Sequence, residues 1–346
     1  MTVIATQSTL MYAEAGEAAA VVERQLALNE DVVAALAQRL RTQPPRFAVT
    51  CGRGSSDHAA TYAKYALETR LGIVTASLSP SVESVYGKPL DLAGALFIAI
   101  SQSGKSPDLV ASASAARAAG ATVLSLLNVT DSPLAAASDV VIPLHAGAER
   151  SVAATKSYLA TLAAVLHLVA RWSDDAALLA ALRALPDGLR RAAALDWQPL
   201  VDGLAKASNL FVLGRGYGFG AAQEAALKFK ETCGLHAEAF SSAEVKHGPM
   251  ALIGQDFPLL VLGQDDATLT GTLAAAEEFR ARGARVWCAA ATAPTAIALP
   301  VVAEVHPMVA PILAVQSFYR AANALSVRRG YNPDVPPHLN KVTETV

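Results

Sequence analysis

The chain repeats itself at a spacing of 162 residues, and this repeat constrains the possible folds more than any other feature. The sequence Gly52-Arg53-Gly54 recurs as Gly214-Arg215-Gly216, and Gln102, which follows an apolar run, recurs as Gln264. A period this long excludes a solenoid of short stacked units. In each half, apolar runs of strand length alternate with helical patterns, which is typical of a parallel sheet covered by helices. We therefore predict an α/β protein with two tandem, doubly wound parallel-sheet domains.

Four segments are predicted along the 346 residues. A helical N-terminal segment covers residues 1–44 and ends at two prolines, which are poorly tolerated inside helices. The first sheet domain is predicted at 45–190 and the second at 196–330. Residues 331–346 contain three prolines and predict an irregular tail that wraps over another part of the protein and does not fold alone.

Composition excludes several classes of function. The net charge is −2, so the chain has no basic field that would attract nucleic acid. No apolar run reaches about 18 residues, and no basic patch precedes an apolar core at the N-terminus. We therefore expect no membrane partner, no signal peptide and a cytoplasmic location.

The three cysteines are sparse and form no CxxC pair. Cys51, Cys233 and Cys288 therefore disfavour a disulfide framework or a zinc site, and each is interpreted as a small core residue. No metal or organic cofactor is required by the residues present.

Polar loops follow three of the predicted strands, at CGRGSS, SQSGKS and LGRGYG. Ligands of parallel sheets bind at the carboxyl ends of the strands, where these loops lie. SQSGKS offers serine hydroxyls, the Gln102 amide and free N–H groups at the start of a helix beginning at Pro107, which suit a phosphate monoester. The alternative is a serine-rich turn that only caps the helix. The helix that follows CGRGSS is expected to be capped by Ser55, Ser56 or Asp57. The glycine-containing loops have neither the Walker A spacing nor the dinucleotide-binding fingerprint.

The stretch Leu210–Pro249 combines a strand, a turn and a helix. The apolar run from Leu210 to Leu213 predicts a buried strand. The four glycines between Gly214 and Gly220 predict a sharp turn with room for a ligand. A helix is predicted from about Ala221 to Cys233, with Gly234 as its C-cap.

Three charged side chains share one face of this helix. Glu224, Lys228 and Glu231 are spaced by four and three residues, so they form either a salt-bridged surface or the working face of an active site. Glu231 lies in the last turn, where the helix dipole disfavours an ionised carboxylate, and this suits a general base. Judged by their own contexts alone, His247 in a tight loop and Lys341 in the tail are interpreted as structural or solvated.

Several motifs together carry a resemblance to a known family. They are CGRGSS, SQSGKSPD, VAATK, ALKFKE, HAEAF, AEVKHGPMALI and LNKVTETV. In this order the chain resembles the sugar isomerase (SIS) family over roughly residues 45–346. Within that family it is similar to the isomerase half of glutamine–fructose-6-phosphate aminotransferases and to the SIS-type glucosamine-6-phosphate deaminases.

The resemblance implies a role for each matching residue. It implies that the sugar phosphate is bound by the serines and the glutamine of one loop, which are Ser101, Gln102, Ser103 and Ser106. It further implies sugar or first-loop contacts at Gly52, Ser55, Val152 and Glu224. Lys105 stands where the aminotransferases have a glutamate, and Gly54-Ser55 replaces their Thr-Ser.

The resemblance also implies the catalytic groups. Glu231 moves the proton between C1 and C2 of the sugar, and Lys228 matches a lysine near the reacting carbons. His247 opens the sugar ring and, in this family, comes from the neighbouring subunit, which implies a homodimer with shared active sites. Lys341 matches the tail lysine that closes over the open-chain sugar.

The resemblance implies a glucosamine-6-phosphate deaminase that isomerises the sugar and releases ammonia and fructose 6-phosphate. Since only about 44 residues precede the first predicted sheet domain, the glutaminase domain of the aminotransferases is expected to be absent. One alternative is an isomerase or deglycase acting on fructosamine or galactosamine 6-phosphate. Others are a non-catalytic phosphosugar-binding regulator, or a structural partner of a separate glutaminase.

Overall fold

The computed structural model describes residues 5–293 and 296–341. The chain divides into two compact units, each built on one sheet. The first-sheet unit comprises Ala20–Glu149, Ser157–Arg183 and Asn340–Val346, and the second-sheet unit comprises Met1–Ala19, Arg150–Lys156 and Ala184–Leu339. Each unit is therefore made of several stretches of sequence, whereas each predicted domain is one continuous stretch. The boundaries at 45–190 and 196–330 remain predictions.

The N-terminal segment is helical, as its sequence predicts. A 3-10 turn at Thr6–Ser8 precedes α1 (Leu10–Gly16) and α2 (Ala18–Thr42). The side chain of Thr9 caps α1 by accepting a hydrogen bond from the N–H of Tyr12. Helix α1 belongs to the second-sheet unit, and nearly all of α2 belongs to the first-sheet unit.

The first sheet has five parallel strands in the order β2-β1-β3-β4-β5. The strands are β1 (Ala48–Cys51), β2 (Thr75–Ser77), β3 (Leu96–Ser101), β4 (Thr122–Leu127) and β5 (Val140–Pro143). The helices that follow α2 along this part of the chain are α3 (Ser55–Leu71), α4 (Ser81–Ser84), α5 (Pro107–Ala118), α6 (Pro133–Ala136), α7 (Lys156–Trp172) and α8 (Ala176–Ala193). Residues 184–193 of α8 belong to the second-sheet unit.

The second sheet repeats the first. Its order is β10-β9-β8-β6-β7, all parallel, so the first strand again lies between the second and the third. The strands are β6 (Asn209–Gly214), β7 (His236–Ser241), β8 (Pro258–Leu262), β9 (Arg285–Ala289) and β10 (Ile297–Ala298). The helices are α9 (Gln198–Leu204), α10 (Tyr217–Cys233), α11 (Leu269–Ala281) and α12 (Ala310–Arg328), with 3-10 turns at Glu244–Lys246 and Pro249–Leu252. The prediction of two doubly wound α/β domains is confirmed.

The central strands of each sheet are buried on both faces, which is why they read as nearly continuous apolar runs, whereas the edge strands β2, β5, β7 and β10 are partly exposed. All six residues of β3 are buried, including Phe97, which is fully inaccessible. In the second sheet, the ring of Phe211 packs edge-on against Phe240 and Phe257, with centroids 4.9 and 4.8 Å apart. Burying an aromatic side chain of this kind contributes about 1.5–3 kcal/mol.

The glycine turns differ from the prediction in detail. Helix α3 is preceded by Gly54 at φ 54°, and α10 by Gly216 at φ 59°, so glycines and not Ser55, Ser56 or Asp57 occupy the N-cap position. A positive φ is strained for other residues, and this explains why glycine outcompetes a side-chain cap here.

Helix α10 also starts earlier than expected, at Tyr217 and not at Ala221, so that Gly218 and Gly220 lie inside its first turn. The apolar run from Leu92 to Ile100 predicts a strand, but β3 begins only at Leu96, since Gly94 at φ 70° still turns the chain. Strands β2, β7, β9 and β10 have no counterpart among the predicted strands.

The described part of the tail, residues 331–341, contains no helix or strand and is held by hydrogen bonds. The Asp334 carboxylate accepts the backbone N–H groups of Leu10 and Met11 at 2.8 Å each, and its carbonyl accepts from Val152 at 3.2 Å. Residues 342–346 of the predicted tail, like 1–4 of the predicted N-terminal segment, lie outside the described residues.

Candidate functional site

The loop between β3 and α5 holds the predicted phosphate-binding residues. The Ser101 hydroxyl is buried and accepts a hydrogen bond from the N–H of Gly104 at 3.0 Å. Gly104 has φ 65°, and a Cβ there would lie 2.2 Å from the Ser132 hydroxyl oxygen, so the turn needs glycine. The Ser103 hydroxyl accepts from the N–H of Lys105 at 3.3 Å. The loop is thus folded by its own serines.

The same loop leaves polar groups accessible at the start of α5. Gln102, Ser103 and Ser106 are half-buried, and Ser106 occupies the N-cap position before Pro107. The Ser106 side chain makes no capping hydrogen bond in the structure. A helix start of this kind carries the positive end of the helix dipole, which favours an anion.

An ion pair joins helix α5, which follows this loop, to the loop between β1 and α3. The Arg53 guanidinium donates two hydrogen bonds, of 3.0 and 2.7 Å, to one oxygen of Asp108, whose side chain is fully buried. In the first loop Gly52 is buried, and a Cβ on it would lie 2.9 Å from the backbone of Ser56. Ser55 is the first residue of α3. Gly52, Ser55 and the four phosphate-loop residues therefore lie on adjacent strand ends, where β1 and β3 pair.

Cys51 is a buried core residue beside this loop. Burial, with the nearby Asp108 carboxylate, raises the pKa of its thiol to about 12. Burial likewise raises the pKa of Cys233 to about 12 and that of Cys288 to about 11. All three thiols are free and protonated at neutral pH, in agreement with a structural role.

Helix α10 carries a buried cluster of two carboxylates and one ammonium, here called the α10 trio (Glu224, Lys228, Glu231). The Lys228 Nζ atom lies 2.6 Å from Glu231 Oε2 and 3.2 Å from Glu224 Oε1. The side chains of Glu224 and Lys228 are 0% and 1% exposed, whereas Glu231 is 22% exposed. The trio is therefore not a solvated surface, and Glu231 is its accessible end.

Electrostatics keep the lysine of the trio charged. Burial alone would lower the pKa of Lys228, but the carboxylates of Glu224 and Glu231 outweigh it and hold that pKa above its ordinary value. Lys228 therefore acts as a fixed positive charge beside Glu231. A carboxylate that is partly accessible and ion-paired can accept a proton from a bound molecule while its geometry is kept.

Tyr319 and Glu149 lie beside predicted site residues, and sequence analysis missed both. The hydroxyl of Tyr319 donates to Glu224 Oε1 at 3.0 Å. Glu149 has a fully buried carboxylate that accepts from the N–H and hydroxyl of Ser157, and Lys341 Nζ lies 3.2 Å from it. Tyr319 follows its partner by 95 residues and Glu149 precedes Lys341 by 192, so no local pattern reveals either pair.

The remaining predicted residues lie in loops. Val152 is half-buried in the segment 150–156, whose backbone N–H groups at Arg150 and Ser151 donate to the Glu14 carboxylate on α1. His247 is exposed and follows the 3-10 turn Glu244–Lys246. Among the described residues, no hydrogen bond or ion pair joins the His247 ring to the α10 trio.

The second repeat keeps the glutamine of the phosphate loop but uses it differently. Gln264 is buried, and its Nε2 lies 2.8 Å from the Arg215 carbonyl oxygen and 2.9 Å from the Thr268 hydroxyl. A Cβ on Gly218 would lie 2.6 Å from the Gln264 Oε1 atom. This side chain therefore fills the space at the end of β8 and fastens its own loop to the loop between β6 and α10.

Two absences bear on the class of site. Within residues 5–293 and 296–341, His, Cys, Asp and Glu side chains form no cluster of three or more that could hold a metal ion. None of the helices in that part of the chain has the length and apolar character needed to span a membrane.

Comparison with known proteins gives the following similarities. A family model described as the SIS domain matches residues 45–171 and 203–324. A glutamine–fructose-6-phosphate aminotransferase (isomerizing) of Sulfurisphaera tokodaii is 34% identical over 307 residues, which are 85% of this chain and 49% of that protein. The corresponding protein of Pyrobaculum aerophilum is 37% identical over 302 residues, 84% of this chain and 50% of that protein. The chain thus spans about half the length of the curated relatives it matches.

Solved structures show the same fold. A candidate phosphosugar isomerase from Silicibacter pomeroyi DSS-3 superposes with a TM-score of 0.91 at 43% identity, covering 94% of this chain and 100% of that one. A glucosamine-6-phosphate deaminase from Thermotoga maritima superposes with a TM-score of 0.78 at 18% identity, covering 97% of this chain and 100% of that one. At that identity the second similarity concerns the fold alone.

Proposed function

The chain belongs to the SIS-domain family, and from this premise we propose that it is a sugar-phosphate isomerase of the amino-sugar type, acting as a glucosamine-6-phosphate deaminase. The observation that carries the proposal is the α10 trio, in which a partly exposed glutamate is ion-paired to a fully buried lysine. Aldose–ketose isomerisation needs one group that removes a proton from carbon and returns it to the next carbon. Glu231 has the exposure and the fixed partner that this step requires.

The loop between β3 and α5 would bind the phosphate. Ser101 and Gly104 shape it, and Gln102, Ser103 and Ser106 present neutral donors at a helix start. Neutral donors with a helix dipole behind them stabilise a phosphate dianion, and a metal ion is not needed for this. The curated relatives are named for a fructose 6-phosphate reaction and the Silicibacter pomeroyi protein for phosphosugar isomerisation, and both support a sugar phosphate as the ligand.

The reaction would proceed in three steps. His247 assists opening of the sugar ring by moving a proton between the ring oxygen and the C1 hydroxyl. Glu231 then takes the proton from C2 and returns it to C1, while the C2 amine gives up one N–H proton to the C1 carbonyl oxygen and becomes an imine. Water adds to C2, ammonia leaves, and fructose 6-phosphate remains, so that one water is consumed for each ammonia. Lys341 would close over the open-chain sugar.

We also propose that the chain works as a homodimer in which His247 is supplied by the neighbouring subunit. The exposure of His247 in its loop is compatible with this, because an exposed ring is accessible to a second chain. The binding partner is then a small amino-sugar phosphate, and no nucleic acid or membrane takes part.

An ammonia-release assay over a panel of hexosamine 6-phosphates tests the proposal. We expect ammonia and fructose 6-phosphate from glucosamine 6-phosphate, with turnover lost in Glu231→Gln. Ammonia from galactosamine 6-phosphate alone, or from fructosamine 6-phosphate alone, would show a related enzyme of different specificity. Tight binding of a sugar phosphate without ammonia release or isomerisation would show a regulator and overturn the enzymatic assignment.

A further inference from the structure

Tyr319 on α12 contacts the α10 trio from its buried side. The side chain is fully inaccessible, and its hydroxyl donates to Glu224 Oε1 at 3.0 Å. The same oxygen lies 3.2 Å from Lys228 Nζ. The neighbouring Phe318 packs edge-on against Phe229 of α10 with centroids 5.0 Å apart, so the two helices hold the tyrosine in place. The hydroxyl therefore points at the buried end of the trio, opposite to Glu231.

We infer that Tyr319 is a positioning residue, which holds Glu224 so that the Lys228 ammonium is directed toward Glu231. This inference rests on the proposed function, because Glu231 is the group that would move the proton. Tyr319 is not itself placed at the reacting carbons. It would act through two hydrogen-bonded neighbours in series.

The charge balance of the trio explains why a neutral donor is needed. Two carboxylates share one ammonium, so the ionised trio carries one excess negative charge, and two of its three members are buried. A buried carboxylate without sufficient donors is strongly disfavoured. The Tyr319 hydroxyl supplies one of the hydrogen-bond donors that the buried Glu224 carboxylate needs, and it adds no second positive charge.

The two Lys228 distances show the consequence. Lys228 lies closer to Glu231, at 2.6 Å, than to Glu224, at 3.2 Å. Glu224 is the more deeply buried of the two acids, so in the absence of another donor it would attract the ammonium more strongly. The Tyr319 hydroxyl occupies Glu224 Oε1 and so favours the shorter contact with Glu231. Removing the hydroxyl should shift the Lys228 ammonium toward Glu224 and lengthen its contact with the carboxylate of Glu231, the proposed base.

The test compares Tyr319→Phe with a matched control on the same pair of helices. Ser326→Ala also removes one buried hydroxyl of α12 that donates to α10, at 2.6 Å to the Thr232 carbonyl, but it leaves the trio untouched. We expect Tyr319→Phe to lower kcat and C2–deuterium exchange about tenfold, in line with the loss of one hydrogen bond to a charged group, with KM changed less than about twofold. Ser326→Ala should keep both rates within about twofold of wild type.

A spectroscopic readout separates this inference from the proposed function. In protein labelled with ¹⁵N-lysine, the Lys228 Nζ signal should move in Tyr319→Phe and stay in Ser326→Ala. A 3-fluorotyrosine at position 319 keeps the ring and strengthens the donor, and should move the signal in the opposite direction, which covers the case of a Phe variant that folds poorly.

The outcomes are distinct. An unmoved Nζ signal in Tyr319→Phe, or an equal loss of kcat in Ser326→Ala, would overturn the positioning role. If wild-type protein turns over no amino-sugar phosphate, the proposed function is wrong, while the Nζ signal still decides whether Tyr319 sets the position of Lys228.

Discussion

At the scale of single residues, Glu231 is the group on which the proposed chemistry depends most. We expect Glu231→Gln to keep the fold and sugar-phosphate binding but to lose isomerisation and C2–deuterium exchange by about 100-fold or more, since the general base is removed. Glu277→Gln is a suitable control, because Glu277 is an exposed glutamate of α11 that pairs with Arg280. It should change stability by less than about 0.5 kcal/mol and leave turnover normal. Wild-type exchange in Glu231→Gln would move the search for the base to Glu224.

Lys228 should matter for stability as well as for activity. Lys228→Met leaves two carboxylates without their buried counter-ion, and breaking a buried pair in this way costs about 3–5 kcal/mol. Lys246→Met removes an exposed pair with Glu278 and should cost less than about 1 kcal/mol in the same urea-unfolding experiment. The double variant Glu224→Gln/Lys228→Met should recover part of the loss, and no recovery would argue against charge as the cause.

The pH dependence of this contribution follows from the raised pKa of Lys228. A group whose pKa is higher in the folded state stabilises the fold fully below its unfolded value, here 10.5, and loses that contribution only as pH rises through the folded value. The Lys228→Met deficit should therefore be constant between neutral pH and about 10 and shrink only above it.

How much of the site the sequence reveals depends on how far apart its members lie. The shared face of Glu224, Lys228 and Glu231 is predicted from helical periodicity, and the structure bears it out. Tyr319 and Glu149 could not be predicted in the same way, because a long-range contact leaves no local spacing. The burial of the trio is likewise a tertiary property, since α10 packs between its sheet and α12.

At the scale of elements, the turn of the phosphate loop allows a controlled test. Gly104→Ala forces a side chain into a positive φ and into contact with Ser132. Gly147→Ala imposes a similar φ, 67°, with no atom within 4 Å of the new Cβ, so it carries the backbone strain alone, about 1–2 kcal/mol. We expect Gly104→Ala to be the more destabilising by urea unfolding and to raise KM for the sugar phosphate at least tenfold. Equal KM values for the two variants would remove this turn from the binding site.

Element types were predictable where one pattern dominated, and boundaries shifted where glycine intervened. The apolar runs before SQSGKS and LGRGYG predicted β3 and β6 because both faces of these strands are buried. Strand β7 was missed because its burial is uneven and its residues do not form an apolar run. The early start of α10 was missed because glycine disfavours helix in general but is needed where Gly218 packs on Gln264.

At the scale of the whole molecule, the proposed sharing of active sites between subunits has a direct test. Glu231→Gln and His247→Asn should each be inactive alone, whereas a mixture that exchanges subunits should regain about a quarter of wild-type activity, because half of the dimers carry one intact site. Activity in mixtures is measured after exchange has been verified with differently tagged chains. A verified hybrid that stays inactive would show that Glu231 and His247 act within the same chain.

Under the proposed function, the filled loop around Gln264 limits each chain to one bound sugar phosphate. The second copy presents Asp265 and Asp266 where the first presents Ser103 and Gly104, and carboxylates repel a phosphate dianion. Its glutamine is already engaged by its own backbone, so no amide is offered to a ligand. Under the proposed function the two copies are therefore unequal, because the first offers neutral donors to an anion and the second carries the α10 trio. A calorimetric titration should accordingly saturate at one mole of ligand per mole of chain, although the fold is present twice.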